Sequence, residues 1–120
     1  SENIRVMSVV GRFLEHSRIF HFGRGQEDPL DGDWYIGSAD WMYRNLSNRV
    51  ECATPVRDAD ARRRLLRVVE VMLADHRHAW DLDSMGGYHA RLMLDDAPED
   101  SPERRGTFAA LMGDAIESAK

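Results

Sequence analysis

The chain has 120 residues, enough for one compact domain with its own core and few enough to be a piece of a larger protein. With 42% hydrophobic and 31% charged residues its composition is that of a globular protein, and no apolar run approaches the roughly 20 residues of a membrane-spanning helix. A formal net charge of -5 argues against nonspecific nucleic-acid binding. Lys120 is the only lysine; every other cationic residue is arginine, whose planar fork clamps phosphate through two hydrogen bonds.

Ser1-Glu2-Asn3 is polar and leads straight into an apolar alternation, with nothing like a signal peptide, so the start reads as a cut inside a longer chain. Ile4 to Val10 is largely β-branched and predicts a strand that Gly11 ends. After a short turn at Phe13 to Glu15, Ser17 to Phe22 predicts a second strand. Gly23 to Asp33 is rich in turn residues and predicts the connection to an antiparallel partner, Trp34 to Gly37. Ser38 to Asn45 reads as a loop with a helical turn, and Val50 to Pro55 as a strand that stops at the proline.

A long helix follows, capped by Asp58 or Asp60, with Leu65, Leu66, Val69, Met72 and Leu73 on its apolar face. Arg62, Arg63 and Arg64 at its start suggest a solvated face more than a nucleic-acid patch. Ala79 to Leu82 and Tyr88 to Leu92 predict a hairpin around Ser84-Met85-Gly86-Gly87. An acidic linker, Asp95 to Pro102, then precedes a terminal helix from about Glu103 to Ala119. Cys52, the lone cysteine, excludes an internal disulfide and reads as a buried hydrophobe in a reducing, cytoplasmic setting.

The residues that carry chemistry are His16-Ser17-Arg18, then Gly37-Ser38-Ala39-Asp40, then Glu51. Alternate residues of an extended chain point the same way, so His16 and Arg18 can face one phosphate. The order resembles the half-site of the phospholipase D superfamily, in which a histidine and a cation two residues on are followed by Gly-Ser-x-Asn and an acid. Arg18 stands where that pattern has lysine, and Asp40 where it has asparagine.

Longer words narrow the resemblance. Ser-Glu-Asn-Ile-Arg-Val at the start, Val-Gly-Arg-Phe-Leu-Glu-His-Ser-Arg-Ile-Phe at Val10 to Phe20 and Tyr-Ile-Gly-Ser-Ala-Asp-Trp-Met at Tyr35 to Met42 resemble bacterial polyphosphate kinase, as do Arg44 to Leu46 and Arg49 to Glu51. The likeness runs to about Leu82; Tyr43 and Asn48 depart from it, where proline and arginine are usual.

The resemblance implies an α/β fold, a mixed sheet flanked by helices, forming a partial C-terminal phospholipase D-like domain over residues 1–94, with 95–120 as linker and helix. It implies reversible transfer of the terminal phosphate of ATP to polyphosphate through a phosphohistidine in a preceding domain, which would also hold the Mg2+ ligands. Here His16 is the expected second, catalytic histidine, and His16, Arg18, Ser38, Arg44 and Arg49, with Arg12 as a further candidate, are the expected ATP and phosphate contacts. The expected partners are ATP or ADP, polyphosphate, the preceding domains and a second copy of the chain.

Alternative readings are a phosphodiesterase or nuclease half-site with His16 as nucleophile, and a non-catalytic oligomerisation or polyanion-binding module. For Arg44 and Arg49 the plain expectation is a salt bridge of one of them with Asp40 or Glu51. His76 and His78 diverge on a helix and make a poor metal pair. Of the tryptophans, Trp41 is the best placed to stack on a base and Trp34 and Trp80 read as filler.

Overall fold

The structure is a computed structural model that describes residues 1–120. Its strands are β1 (Val6–Val9), β2 (Ile19–Phe22), β3 (Asp33–Gly37), β4 (Ala53–Val56), β5 (Ala79–Leu82) and β6 (Tyr88–Ala90). The helices are α1 (Tyr43–Asn48), α2 (Ala59–Ala74), α3 (Pro102–Arg105) and α4 (Thr107–Ser118). These divide into a unit of Glu15–Arg67 and a unit of Ser1–Leu14 with Val68–Lys120.

The α/β class expected from the sequence holds, but the strands form two antiparallel sheets, β2-β3-β4 and β1-β5-β6, rather than one mixed sheet. Two of the four pairings, β2 with β3 and β5 with β6, join sequence neighbours across short turn-rich links, and such links can only make antiparallel pairs.

In the unit of Glu15–Arg67, Phe20 stands opposite Tyr35 and His21 opposite Trp34, so the faces of the sheet alternate. Trp34 is buried, stacks on His21 with centroids 4.2 Å apart, and donates from Nε1 to the carbonyl of Pro29. Pro29 opens a 3-10 turn (Pro29–Asp31) inside the predicted connection, with Asp28 accepting from the Leu30 amide as its cap.

Contrary to expectation, β4 continues through Pro55, which lies opposite Tyr35. Because β4 is an edge strand, a residue without an N–H costs the ladder nothing on its open side. Asp58 caps α2 by accepting from the Ala61 amide, whereas Asp60 pairs with Arg63. Arg63 and Arg64 face solvent as read, and so do Arg67 and Glu70, but Arg62 turns inward and donates to the carbonyls of Val56 and Leu30, locking the helix to the end of β4 and the 3-10 turn.

In the other unit the predicted hairpin is β5-β6. Asp83 organises its turn by accepting from the Met85 and Gly87 amides, and Gly86 takes a left-handed φ of 87° that a side chain would strain. Arg91 donates two parallel hydrogen bonds to Asp81 and a third to the carbonyl of Leu73, so one guanidinium ties the sheet to the last turn of α2. Val71, Ala79 and Ala110 form the apolar centre, while Leu73, placed on the apolar face by spacing, is exposed.

The single terminal helix expected from Glu103 to Ala119 is two helices, α3 and α4, broken at Gly106 with φ 79°. Asp75 is the reason for the break. Fully buried, it accepts from the Thr107 amide and hydroxyl at 2.7 and 2.8 Å, capping α4 from 32 residues away.

Candidate functional site

His16 and Arg18 lie in the extended segment just before β2, which continues the ladder through the Gly37 amide donating to the Arg18 carbonyl at 3.0 Å. The i, i+2 spacing brings them together as expected: Arg18 Nη2 sits 3.4 Å from His16 Nδ1. A guanidinium has no acceptor, so Nδ1 is the accepting atom and a neutral His16 ring carries its proton on Nε2. His16 is exposed.

Arg18 is held from the other side by Asp40, whose Oδ1 accepts from Arg18 Nε at 2.8 Å. This hydrogen bond holds the Asp40 carboxyl below the usual carboxylate range against a smaller opposing effect of burial, and the charges of Arg18, His16 and Arg44 push the same way. The expected ion pair at Asp40 therefore exists, but its cation is Arg18; Arg44 and Arg49 are exposed and make no salt bridge. Local geometry decides this, since Arg18 reaches Asp40 from the strand beside Gly37, whereas Arg44 sits on α1 and Arg49 beyond its end.

Ser38 follows β3 and is fixed three ways. Its amide donates to the Cys52 carbonyl, its Oγ accepts from the Cys52 amide, both at 3.0 Å, and its hydroxyl donates to Glu51 Oε2 at 2.5 Å. Glu51 thus precedes β4 rather than lying on it, and orients the serine. Gly37 is required where it stands: a Cβ there would come within 2.8 Å of the Phe20 ring. Cys52 is exposed, not buried as its strand-like surroundings suggested, because it lies just outside the edge strand β4.

Beside these residues is an open apolar hollow of about 470 Å³, lined among others by Phe20, Phe22, Tyr35, Trp41 and Leu46. Trp41 stacks on Phe20 with centroids 6.0 Å apart and is otherwise exposed. Asn45, which opens an Asn-Leu-Ser glycosylation sequon, is 2% exposed and unavailable to a glycosyl group.

No three His, Cys, Asp or Glu side chains converge as ligands of one ion would. His76 contacts the Leu92 carbonyl and His89 contacts Asp83, each in its own place. No helix is long and apolar enough to cross a membrane.

Residues 1–101 match the family model described as polyphosphate kinase C-terminal domain 2. The chain belongs to the polyphosphate kinase C-terminal domain family. It is 48% identical over 110 residues to the polyphosphate kinase of Synechocystis sp., covering 92% of this chain and 14% of that protein. With the polyphosphate kinase of Thermosynechococcus vestitus it shares 44% identity over 120 residues, all of this chain and 15% of the relative. The crystal structure of polyphosphate kinase from Porphyromonas gingivalis superimposes with a TM-score of 0.75 at 35% identity, over 97% of this chain and 17% of that one. The phospholipase D-like class expected from the sequence stands with this match. This polyphosphate kinase C-terminal domain spans about one seventh of the length of the curated relatives it matches.

Within it, Asp40 is the one carboxylate paired with Arg18. Asp40→Asn keeps an oxygen for Arg18 Nε and removes that charge. At a few ångströms in water the repulsion relieved is about 1 kcal/mol, so tripolyphosphate should bind roughly fivefold tighter at low salt. Calorimetric titration checks this, and the gain should shrink at high salt.

Proposed function

We propose that this chain supplies one half of a phosphoryl-transfer site that moves the terminal phosphate of ATP reversibly onto polyphosphate. The observation that carries the reading is the chain Asp40–Arg18–His16: a carboxylate holds Arg18 by Nε, and the guanidinium edge left over lies against His16 Nδ1. An arginine fixed in this way offers its Nη hydrogens to phosphate oxygens without first losing side-chain freedom. His16, with its proton on Nε2, donates a hydrogen bond to a phosphate oxygen and acts as general acid or charge stabiliser in transfer.

Arg44 and Arg49, free of carboxylate partners, neutralise further phosphates, and Ser38 contributes its fixed hydroxyl at the end of β3. Phosphoryl transfer needs little covalent work from the protein; positioning and charge neutralisation supply most of the acceleration. The phosphorylated histidine and the ligands of a Mg2+ ion would belong to the preceding domain, where the metal would supply neutralisation of phosphate charge, so the two halves would act only together. The phosphodiesterase alternative asks His16 to be a nucleophile through Nε2, which the Arg18 contact disfavours by leaving the proton there.

The test is an amide NMR titration of the chain with tripolyphosphate. The Arg18, Ser38 and Arg44 amides are expected to shift saturably, with affinity falling as salt rises, and to stop shifting in Arg18→Ala. Shifts at these amides that persist unchanged in a folded Arg18→Ala would overturn the assignment.

A further inference from the structure

The unit of residues 1–14 and 68–120 carries a second open cleft, of about 430 Å³. Three arginines line it: Arg12 from the loop after β1, Arg77 from the link between α2 and β5, and Arg105 from the end of α3. His78 joins them, and Phe13 and Phe108 meet edge to face at 6.0 Å as an apolar lining. No carboxylate lines the cleft.

Two of the arginines are braced by backbone. Arg77 donates from Nη1 to the Arg104 carbonyl at 3.3 Å, and Arg105 from Nη2 to the Ala109 carbonyl at 2.7 Å. Each guanidinium has five N–H donors, so these bonds orient it and leave several hydrogens for a ligand. Arg12 is exposed.

His78 is set up in a complementary way. Its Nδ1 is buried without a hydrogen bond, 3.8 Å from Asp75 Oδ2 and packed under Gly106, where a Cβ would come within 2.4 Å. The ring is nonetheless about a third exposed, which leaves Nε2 as the nitrogen that a ligand reaches.

We propose that this cleft is a second phosphate-binding site, taking the oxyanions of an inorganic polyphosphate chain between Arg12, Arg77, Arg105 and His78. A tetrahedral group with three free oxygens, repeated along a chain, can engage several separated forks, whereas a single carboxylate occupies one. Beside apolar rings each such hydrogen bond is stronger than in open water. The choice of polyphosphate over a nucleotide rests on the proposed function; the site itself stands on these four residues.

The tripolyphosphate titration above reads both sites at once, since the Arg77, His78, Arg105 and Phe108 amides report this one. They are expected to shift saturably, with affinity lowered at least tenfold in Arg77→Gln/Arg105→Gln and severalfold in Arg12→Gln, and to be unaffected by Arg18→Ala. Gly11→Ala should weaken binding too, because its Cβ would come within 2.2 Å of the Phe108 ring. If the double variant does not fold, Arg12→Gln, at an exposed residue, decides alone. Absence of shifts at these amides, shifts indifferent to Arg12→Gln, or tighter binding of ADP than of tripolyphosphate would each overturn the proposal. Failure at the His16 site with binding here would leave this site standing.

Discussion

Replacing His16 with alanine in the intact enzyme should slow phosphoryl transfer by roughly 10²- to 10⁴-fold, the usual contribution of a positioned acid or base. The fold should survive, because His16 is exposed, lies outside β2 and its ring hydrogen-bonds the Arg18 side chain at the surface. A surface change of that kind moves stability by about 0.5 kcal/mol or less. Lost turnover with an unchanged melting temperature therefore separates a chemical role from a structural one. His16→Gln, which restores a donor without an acid, should recover part of the loss if charge stabilisation dominates and none if proton transfer does. Full activity in a folded His16→Ala enzyme would return the chain to the class of non-catalytic modules.

The largest expected loss of stability lies elsewhere, at Asp75. Its carboxylate is fully buried and accepts from four donors: the Arg77 and His78 amides on Oδ1, and the Thr107 amide and hydroxyl on Oδ2. Burial pushes its pKa up, but the hydrogen bonds from Thr107, His78 and Arg77 outweigh it and hold the carboxyl below its ordinary value. Asp75→Ala leaves buried donors unpaired and uncaps α4, at a cost on the order of 3–5 kcal/mol, readable as a lower urea midpoint. Because the folded-state pKa lies below the unfolded value of about 4, Asp75 contributes its full stability above that pH. The contribution is lost as the pH falls through the lower, folded-state value. Denaturation curves from pH 7 down to pH 3 should show this acid-side decline in the wild type and a flatter profile in Asp75→Asn.

Where the structure departs from a reading along the chain, the separation between partners explains it. The β5-β6 hairpin, the Asp58 cap and the His16–Arg18 pair were all legible, because each depends on residues within about ten positions of one another. Propensity, turn chemistry and the two-residue period of an extended chain act over that range. Arg62 was misread as solvated because spacing alone cannot say that the carbonyls of Val56 and Leu30 will need a donor. Gly106 looked like an interior helix residue because the cap that splits the helix there comes from Asp75.

The candidate site divides in the same way. The proposed phosphate contacts His16, Arg18, Ser38, Arg44 and Arg49, and their order, came from the sequence and the long words around them. The ion pair of Arg18 with Asp40, 22 residues on, and the clasp of Ser38 by Glu51 and Cys52 did not, nor did the arginine cleft of Arg12, Arg77 and Arg105. By itself, then, the sequence determined most of the elements, the Asp58 cap and the family to which the chain belongs. Tertiary structure alone decided which charges are spent on each other, because an ion pair forms only where folding brings two side chains within about 4 Å.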